Sequence, residues 1–279
     1  MKTAVILGAG AMGRKLAVLL NKNEICLLAY GDNNPSCHDA AAEVPVVSVE
    51  AALAYRPDLV CIGVAGRERS AALCEQAREL RYNGKVLELC DLARTVDLRA
   101  ATLFNLLPRL QNVPGDVAEL GVYQGNFAWQ INLAFADRTL HLFDTFEGFA
   151  QVDLEKEGEA RYQQGKMDFS DTSAETVQAR MPYPEQVVVH VGFFPDTAEG
   201  LEIRFAFVSL DADLYAPTLA ALEYFMPRLS QGGMIFLHDY NNPRFSGVTK
   251  AVADYEAAHG QLMLLPLADL HGTAVIMKV

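Results

Sequence analysis

Three residues near the carboxyl end of the chain are of types that hold a divalent cation: Asp211, His238 and Asp239. Each sits at the end of an apolar run, "FAFVSL" before Asp211 and "MIFL" before His238-Asp239. Short apolar runs set between helical patterns read as buried parallel strands. Ligands of open α/β sheets bind outside the carboxyl ends of such strands. If these two strands lie side by side, Asp211 and Asp239 converge although 28 positions separate them. Two carboxylates, with water and substrate oxygens in the other positions, suit Mg²⁺. The ion would lower the pKa of a substrate hydroxyl, and Asp211 is the carboxylate placed to take the proton. A structural role competes with this. Asp211 and Asp213 can cap a helix beginning near Pro217, and Asp239 can start a turn with Asn241 and Asn242. Asp213 suits the cap better than the metal. His238 reads as a ligand, a substrate contact or a packed neighbour.

Two glycine loops follow strand-like runs and open helices. "ELGVYQGN" (119–126) places Glu119 ahead of Gly121 and Gly125, with Tyr123 and Asn126 on the same loop. The glycines let the backbone approach a ligand, and Glu119 can face an ammonium group. The next strand ends in Asp144 and Thr145, where the acid can accept both hydroxyls of a ribose. A glycine loop, an ammonium partner and a ribose acid beside metal-type acids favour S-adenosylmethionine over other nucleotides. The second loop, "GAGAMG", is G-x-G-x-x-G with Gly8, Gly10 and Gly13, and its following strand ends in Asp32. It predicts a nucleotide or nucleotide-sugar site.

The elements behind these residues fall into two modules. Residues 1–95 alternate strand and helix through about four strands; residues 96–279 repeat the alternation through seven, with a hairpin-like pair at the end. The fold class expected is α/β, two Rossmann-like doubly wound parallel-sheet domains, the second of class I methyltransferase type. The polar stretch from about 150 to 170 reads as an insertion. Among 279 residues, 51% are hydrophobic and 21% charged, enough apolar content for two cores. A net charge of −12 without a basic stripe argues against nucleic acid as a partner. Apolar runs are too short for a membrane span and the start lacks a signal-peptide pattern, so a cytoplasmic protein without a membrane partner is expected. Five cysteines without a CxxC pair indicate neither zinc nor a disulfide framework.

Residues from about 100 to 279 resemble the macrocin O-methyltransferase family, which methylates sugar hydroxyls on macrolide and aminocoumarin antibiotics. The matching stretches are "VAELGVYQGNFA", "LFDTFEGF", "DFSDTSAETV", "GFFPDT", "FVSLDADLYAPTLAALEYFMPRLSQGGMIFLHDYN" and "GVTKAV". The resemblance implies an S-adenosylmethionine- and Mg²⁺-dependent enzyme acting on a small sugar-containing acceptor, and a homo-oligomer. It places the metal acid and general base at Asp211. The family's usual pair of acids before a Tyr is His238-Asp239 here, so the first ligand is replaced. The resemblance also sets Asp171, Thr172 and Ser173 at a lid over donor and acceptor, Gly192 and Phe193 at the adenine, and Phe194 at the acceptor. Residues 4–90, through "ILGAGAMGRKLA", "AYGDNN" and "VPVVSVEAA", resemble the N-terminal Rossmann-like domain of sugar O-acyltransferases. Two other functions fit parts of the chain. One is an NAD(P)-dependent nucleotide-sugar oxidoreductase or epimerase centred on "GAGAMG", although no Tyr-x-x-x-Lys or hydride-transfer His follows. The other is a nucleotide-sensing regulatory module fused to a methyltransferase.

Overall fold

The computed structural model describes residues 1–149 and 169–279. The chain divides into two compact units, Met1–Asp97 and Leu98–Val279.

The first unit is a five-stranded parallel sheet in the order β3-β2-β1-β4-β5. Its strands are β1 (Lys2–Leu7), β2 (Ile25–Gly31), β3 (Val46–Val47), β4 (Leu59–Ile62) and β5 (Lys85–Glu88). Sequence reading expects about four strands. The additional one, β3, has two residues, too few for any periodicity to register. Val5, Leu7, Val60 and Ile62 are buried on one face of the central strands and Ala4, Ile6 and Cys61 on the other, as a sheet covered on both faces requires. Ser48 caps α2 (Val49–Ala54) by accepting from the Ala51 N–H at 3.1 Å. The run "KVLELCDL", which reads as one strand, ends its extended part at Glu88 and turns into α4 (Leu89–Thr95).

The second unit begins with α5 (Leu98–Leu110) and carries seven strands in the order β11-β12-β10-β9-β6-β7-β8. These are β6 (Asp116–Leu120), β7 (Leu140–Asp144), β8 (Val187–Val191), β9 (Phe205–Leu210), β10 (Leu229–Leu237), β11 (Met263–Pro266) and β12 (Ala274–Met277). Strands β8, β7, β6, β9 and β10 are parallel, while β12 runs antiparallel to both β10 and β11. Successive side chains of a strand point to opposite faces. Val208, Ile235 and Leu237 therefore join one apolar cluster, and Phe207, Met234 and Phe236 the other.

The register sets the site. Leu120 of β6 pairs with Leu210 of β9, and Leu210 pairs with Leu237 of β10. The next residue on each strand is Gly121, Asp211 and His238. The ladder continues for one more bond on either side: the Asp211 N–H donates to the Leu120 carbonyl at 2.9 Å, and the His238 N–H to that of Leu210 at 2.8 Å. Side chains distant along the chain thus leave adjacent strand ends at the same level.

Candidate active site

Asp211, His238 and Asp239 meet. His238 Nδ1 lies 2.9 Å from Asp211 Oδ1 and 2.7 Å from Asp239 Oδ2, and the three ligand atoms fall within 4.8 Å of one another. The second oxygen of each carboxylate is held separately. Asp211 Oδ2 accepts from Arg99 Nη1 at 3.1 Å, and Asp239 Oδ1 accepts from the Asn242 side-chain amide. The Asn242 N–H also bonds the Asp239 carbonyl, at 3.1 Å, so Asp239 takes part in the turn as well as the cluster. Two donor atoms on a metal with bonds of about 2.1 Å at right angles stand about 3 Å apart. The separations at Nδ1 match that edge, so these donors fit a divalent cation. Nδ1 has one lone pair or one proton to offer: it donates to both carboxylates, or, deprotonated, it becomes the third ligand.

Arg99 ties this cluster to the glycine loop. Its Nη2 donates to Ser209 Oγ at 2.7 Å and to Glu119 Oε1 at 3.4 Å, and its guanidinium lies 3.6 Å over the Phe127 ring. Ser209 Oγ donates on to Glu119 Oε1 at 3.1 Å. The other Glu119 oxygen, Oε2, is buried without a partner. A buried carboxylate oxygen left unpaired is costly unless a ligand completes it. Burial pushes the Glu119 carboxyl up to about 8, with Arg99 opposing. Burial also works against ionised Asp211, but His238 and Arg99 outweigh it and hold that group well below the usual carboxylate range. For His238, burial favours the neutral ring, yet Asp211 and Asp239 raise its pKa to about 10.

The sequence assigns Arg99 no role, and α5 reads from sequence as a linker and first helix. Its signal is an arginine on the apolar stripe: Arg99, Ala100, Leu103 and Leu110 are the buried residues of α5. The capping role expected of Asp213 is not what it does. The helix Tyr215–Arg228 starts after Leu214 with no side-chain cap. Asp213 has a positive φ of 58° and its carboxyl is hydrogen-bonded to that of Asp239. Burial and the neighbouring Asp211 and Asp239 push its pKa well up, so Asp213 is the acid that carries the proton of this hydrogen bond.

Asp144 closes on the glycine loop: its Oδ2 accepts the Val122 and Tyr123 N–H groups at 2.6 and 2.9 Å, its Oδ1 that of Phe146 at 2.8 Å. A Cβ on Gly121, whose φ is +79°, would stand 2.0 Å from the Asp211 carbonyl oxygen. One on Gly125 would meet Val177 and Met181 at 2.8 and 2.9 Å. Glycine is thus required at both by the loop's own packing. Gly125 also takes the left-handed N-cap ahead of α6 (Asn126–Ala134), so Asn126 opens that helix. Thr145 Oγ1 bonds the Gly148 carbonyl at 3.0 Å. The Gly192 N–H bonds the Asp144 carbonyl at 3.0 Å, which brings Gly192 and Phe193 beside the end of β7.

Phe194, expected at the acceptor, is instead core: it is 5% exposed and stacks on Phe225 at 5.6 Å. Ser173 caps the helix Ala174–Arg180, and Thr172 Oγ1 donates to the Tyr123 carbonyl at 2.9 Å. Asp171 accepts from Gln124 at 3.3 Å. Of the polar insertion expected from about 150 to 170, residues 150–168 lie outside the described residues.

In the first unit, the Ala9 N–H donates to Asp32 Oδ2 at 2.8 Å and the Asn34 N–H to Oδ1 at 2.9 Å. A Cβ on Gly13 would fall 1.9 Å from the Gly8 carbonyl oxygen, whereas one on Gly10 would meet nothing within 4 Å. No helix among the described residues is long and apolar enough to cross a membrane.

Comparisons with known proteins identify the family and the fold. The family model described as Macrocin-O-methyltransferase (TylF) matches residues 94–278. The mycinamicin III 3''-O-methyltransferase of Micromonospora griseorubida is 32% identical over 71% of this chain and 82% of its own. An 8-demethyl-8-(2,3-dimethoxy-alpha-L-rhamnosyl)-tetracenomycin-C 4'-O-methyltransferase of Streptomyces olivaceus is also 32% identical, over 60% of this chain and 66% of its own. The structure of the O-methyltransferase NovP superposes with a TM-score of 0.53 at 25% identity, covering 65% of this chain and 79% of NovP. CalS11, a calicheamicin methyltransferase, shares the fold with a TM-score of 0.53 at 20% identity over 76% of this chain and 86% of its own. The chain belongs to the macrocin O-methyltransferase family and is an O-methyltransferase.

Proposed function

We propose that residues 98–279 transfer a methyl group from S-adenosylmethionine to a hydroxyl of a sugar-containing small molecule, with a divalent cation at Asp211, His238 and Asp239. The observation that carries the reading is the convergence of the three donor atoms beside the glycine loop. The cation, Mg²⁺ by the family resemblance, supplies the charge that lowers the pKa of the acceptor hydroxyl. Glu119 Oε2 is the unpaired oxygen for the donor's ammonium group. Gly121, Tyr123, Gly125 and Asn126 shape the donor cradle, and Asp144, Thr145, Gly192 and Phe193 border the nucleoside. The Asp211 side chain is 26% exposed against 7% for Arg99 and 2% for Glu119, so the acceptor reaches the cluster from the Asp211 side. Arg99 fixes Asp211 Oδ2, so Oδ1 is the oxygen that faces the cation and the acceptor, with Asp211 the carboxylate nearest the hydroxyl proton. The rest of the rate comes from alignment of oxygen, methyl and sulfur, which these rigid strand ends favour.

In residues 1–97 the open space at Gly10, beside the N-terminus of α1 (Ala11–Leu19), supports a second, nucleotide or nucleotide-sugar site. The test of the main reading is incubation of the full chain with S-adenosylmethionine and a panel of deoxysugar nucleotides and glycosylated macrolides. Mass spectrometry should show addition of one methyl group to a sugar hydroxyl. Methylation confined to catechol or carboxylate acceptors would refute it.

A further inference from the structure

The nitrogen in the donor set carries a consequence for which ion the site selects. Resting on the metal-assisted reading above, we propose that His238 Nδ1 is a direct ligand and that it turns the site from Mg²⁺ towards a first-row transition cation of the Mn²⁺, Fe²⁺, Co²⁺ or Zn²⁺ class.

Three donors converge: one oxygen of Asp211, one of Asp239 and Nδ1 of His238, with Nδ1 2.9 and 2.7 Å from the two oxygens. The non-converging oxygens are tethered, Asp211 Oδ2 by Arg99 and Asp239 Oδ1 by Asn242. Tethering of this kind orients ligands and fixes which oxygen faces the ion. It leaves one nitrogen and two oxygens, not held by these tethers, at the point of convergence. Mg²⁺ is a hard cation that takes oxygen and holds its waters, whereas imidazole suits Zn²⁺, Fe²⁺ and Ni²⁺, and Mn²⁺ accepts both donor types. An acid at position 238 would give three oxygens and three negative charges. His238 gives two charges and one nitrogen, and Arg99 subtracts further from the negative field beside Asp211. Less charge weakens a hard ion most, because its binding rests on charge rather than on ligand softness.

The test uses the full metal-stripped chain titrated with Mn²⁺ and followed by electron paramagnetic resonance. Wild type should bind one Mn²⁺ with spin-echo modulation from a directly coordinated ¹⁴N. Protein grown with ¹⁵N-histidine should replace that pattern with the ¹⁵N one, a check that needs no mutation. His238→Asp should abolish the nitrogen signal while still binding Mn²⁺, and His271→Gln, at a ring 5.3 Å from His238, should keep it. The excess of Mg²⁺ that displaces half the Mn²⁺ should be at least about tenfold larger for wild type than for His238→Asp. Bound Mn²⁺ without histidine nitrogen coupling, or equal displacement by Mg²⁺ in both proteins, overturns the proposal. Absence of Mn²⁺ binding overturns it together with the metal-assisted reading. Nitrogen coupling in a protein that methylates no sugar leaves the ligand assignment standing and removes the proposed reaction instead.

Discussion

The two glycine loops, 8–13 and 119–126, are built alike and end in different surroundings. In each, the acid at the end of the next strand turns back onto loop N–H groups: Asp32 onto Ala9, Asp144 onto Val122 and Tyr123. In the first unit the neighbouring strand β4 ends in Gly63 and Val64, whose atoms pack against Gly8 and Gly13. In the second, the neighbouring strands end in Asp211 and in His238-Asp239, and a buried arginine links them to Glu119. A glycine loop reports that a backbone turn is tight. The chemistry is set by what the adjacent strand ends carry, which is why one fold serves many functions.

The comparison can be broken by mutation, and the largest effect is expected at Gly121. Gly121→Ala sets a Cβ against the Asp211 carbonyl in a left-handed conformation. The clash is with backbone, which cannot swing aside, so strain and overpacking together should prevent folding, read as loss of a cooperative thermal transition. Asp211→Asn should come next in catalysis, with kcat reduced about 10²–10⁴-fold and donor affinity, read by calorimetry with S-adenosylhomocysteine, nearly kept. Arg99→Met strands Glu119 and Asp211 without their shared cation. A cost of about 3–5 kcal/mol in denaturant unfolding is expected, of the size seen when one partner of a buried ion pair is removed. At the small end, Gly10→Ala in the first unit meets open space at an ordinary φ of −70°. It should shift the melting temperature by no more than a degree or two while weakening any nucleotide that binds there.

Glu119 offers a pH test of the same contrast. Its folded-state pKa of about 8 lies above the ordinary 4.5, so the folded chain holds a proton that the unfolded chain releases. That contribution to stability is complete below pH 4.5 and is lost as pH rises through about 8. Glu119→Gln keeps the neutral form throughout. The mutant's thermal unfolding should therefore lose less stability between those limits than wild type does.

Much of this was legible in the sequence where local pattern and chemistry coincide. Apolar runs ending in acids mark strand ends, and glycines between strand and helix mark the loops; the register Leu120–Leu210–Leu237 then brings Asp211 to His238 and Asp239. What pattern misses is direction and distance. Arg99 precedes Asp211 by 112 positions and sits in a helix, where an arginine is ordinarily a surface residue. Asp213 lies two residues beyond Asp211, and its left-handed backbone points it into the cluster rather than at the next helix. Phe194 lies two residues after a glycine in a loop, where an aromatic reads as a ligand contact, yet it fills the core against Phe143 and Phe225. The strand β3 is shorter than the period that would reveal it.

The central claim is that donor and acceptor meet over a cation held by strand ends of the second unit. Its most direct test is transfer of labelled methyl from S-adenosylmethionine to a sugar acceptor, with and without a chelator, in wild type and Asp211→Asn. Wild type should transfer the methyl group, the chelator should abolish that transfer and added divalent cation restore it, with neither condition rescuing Asp211→Asn. Undiminished transfer in chelator, or by Asp211→Asn, would contradict it.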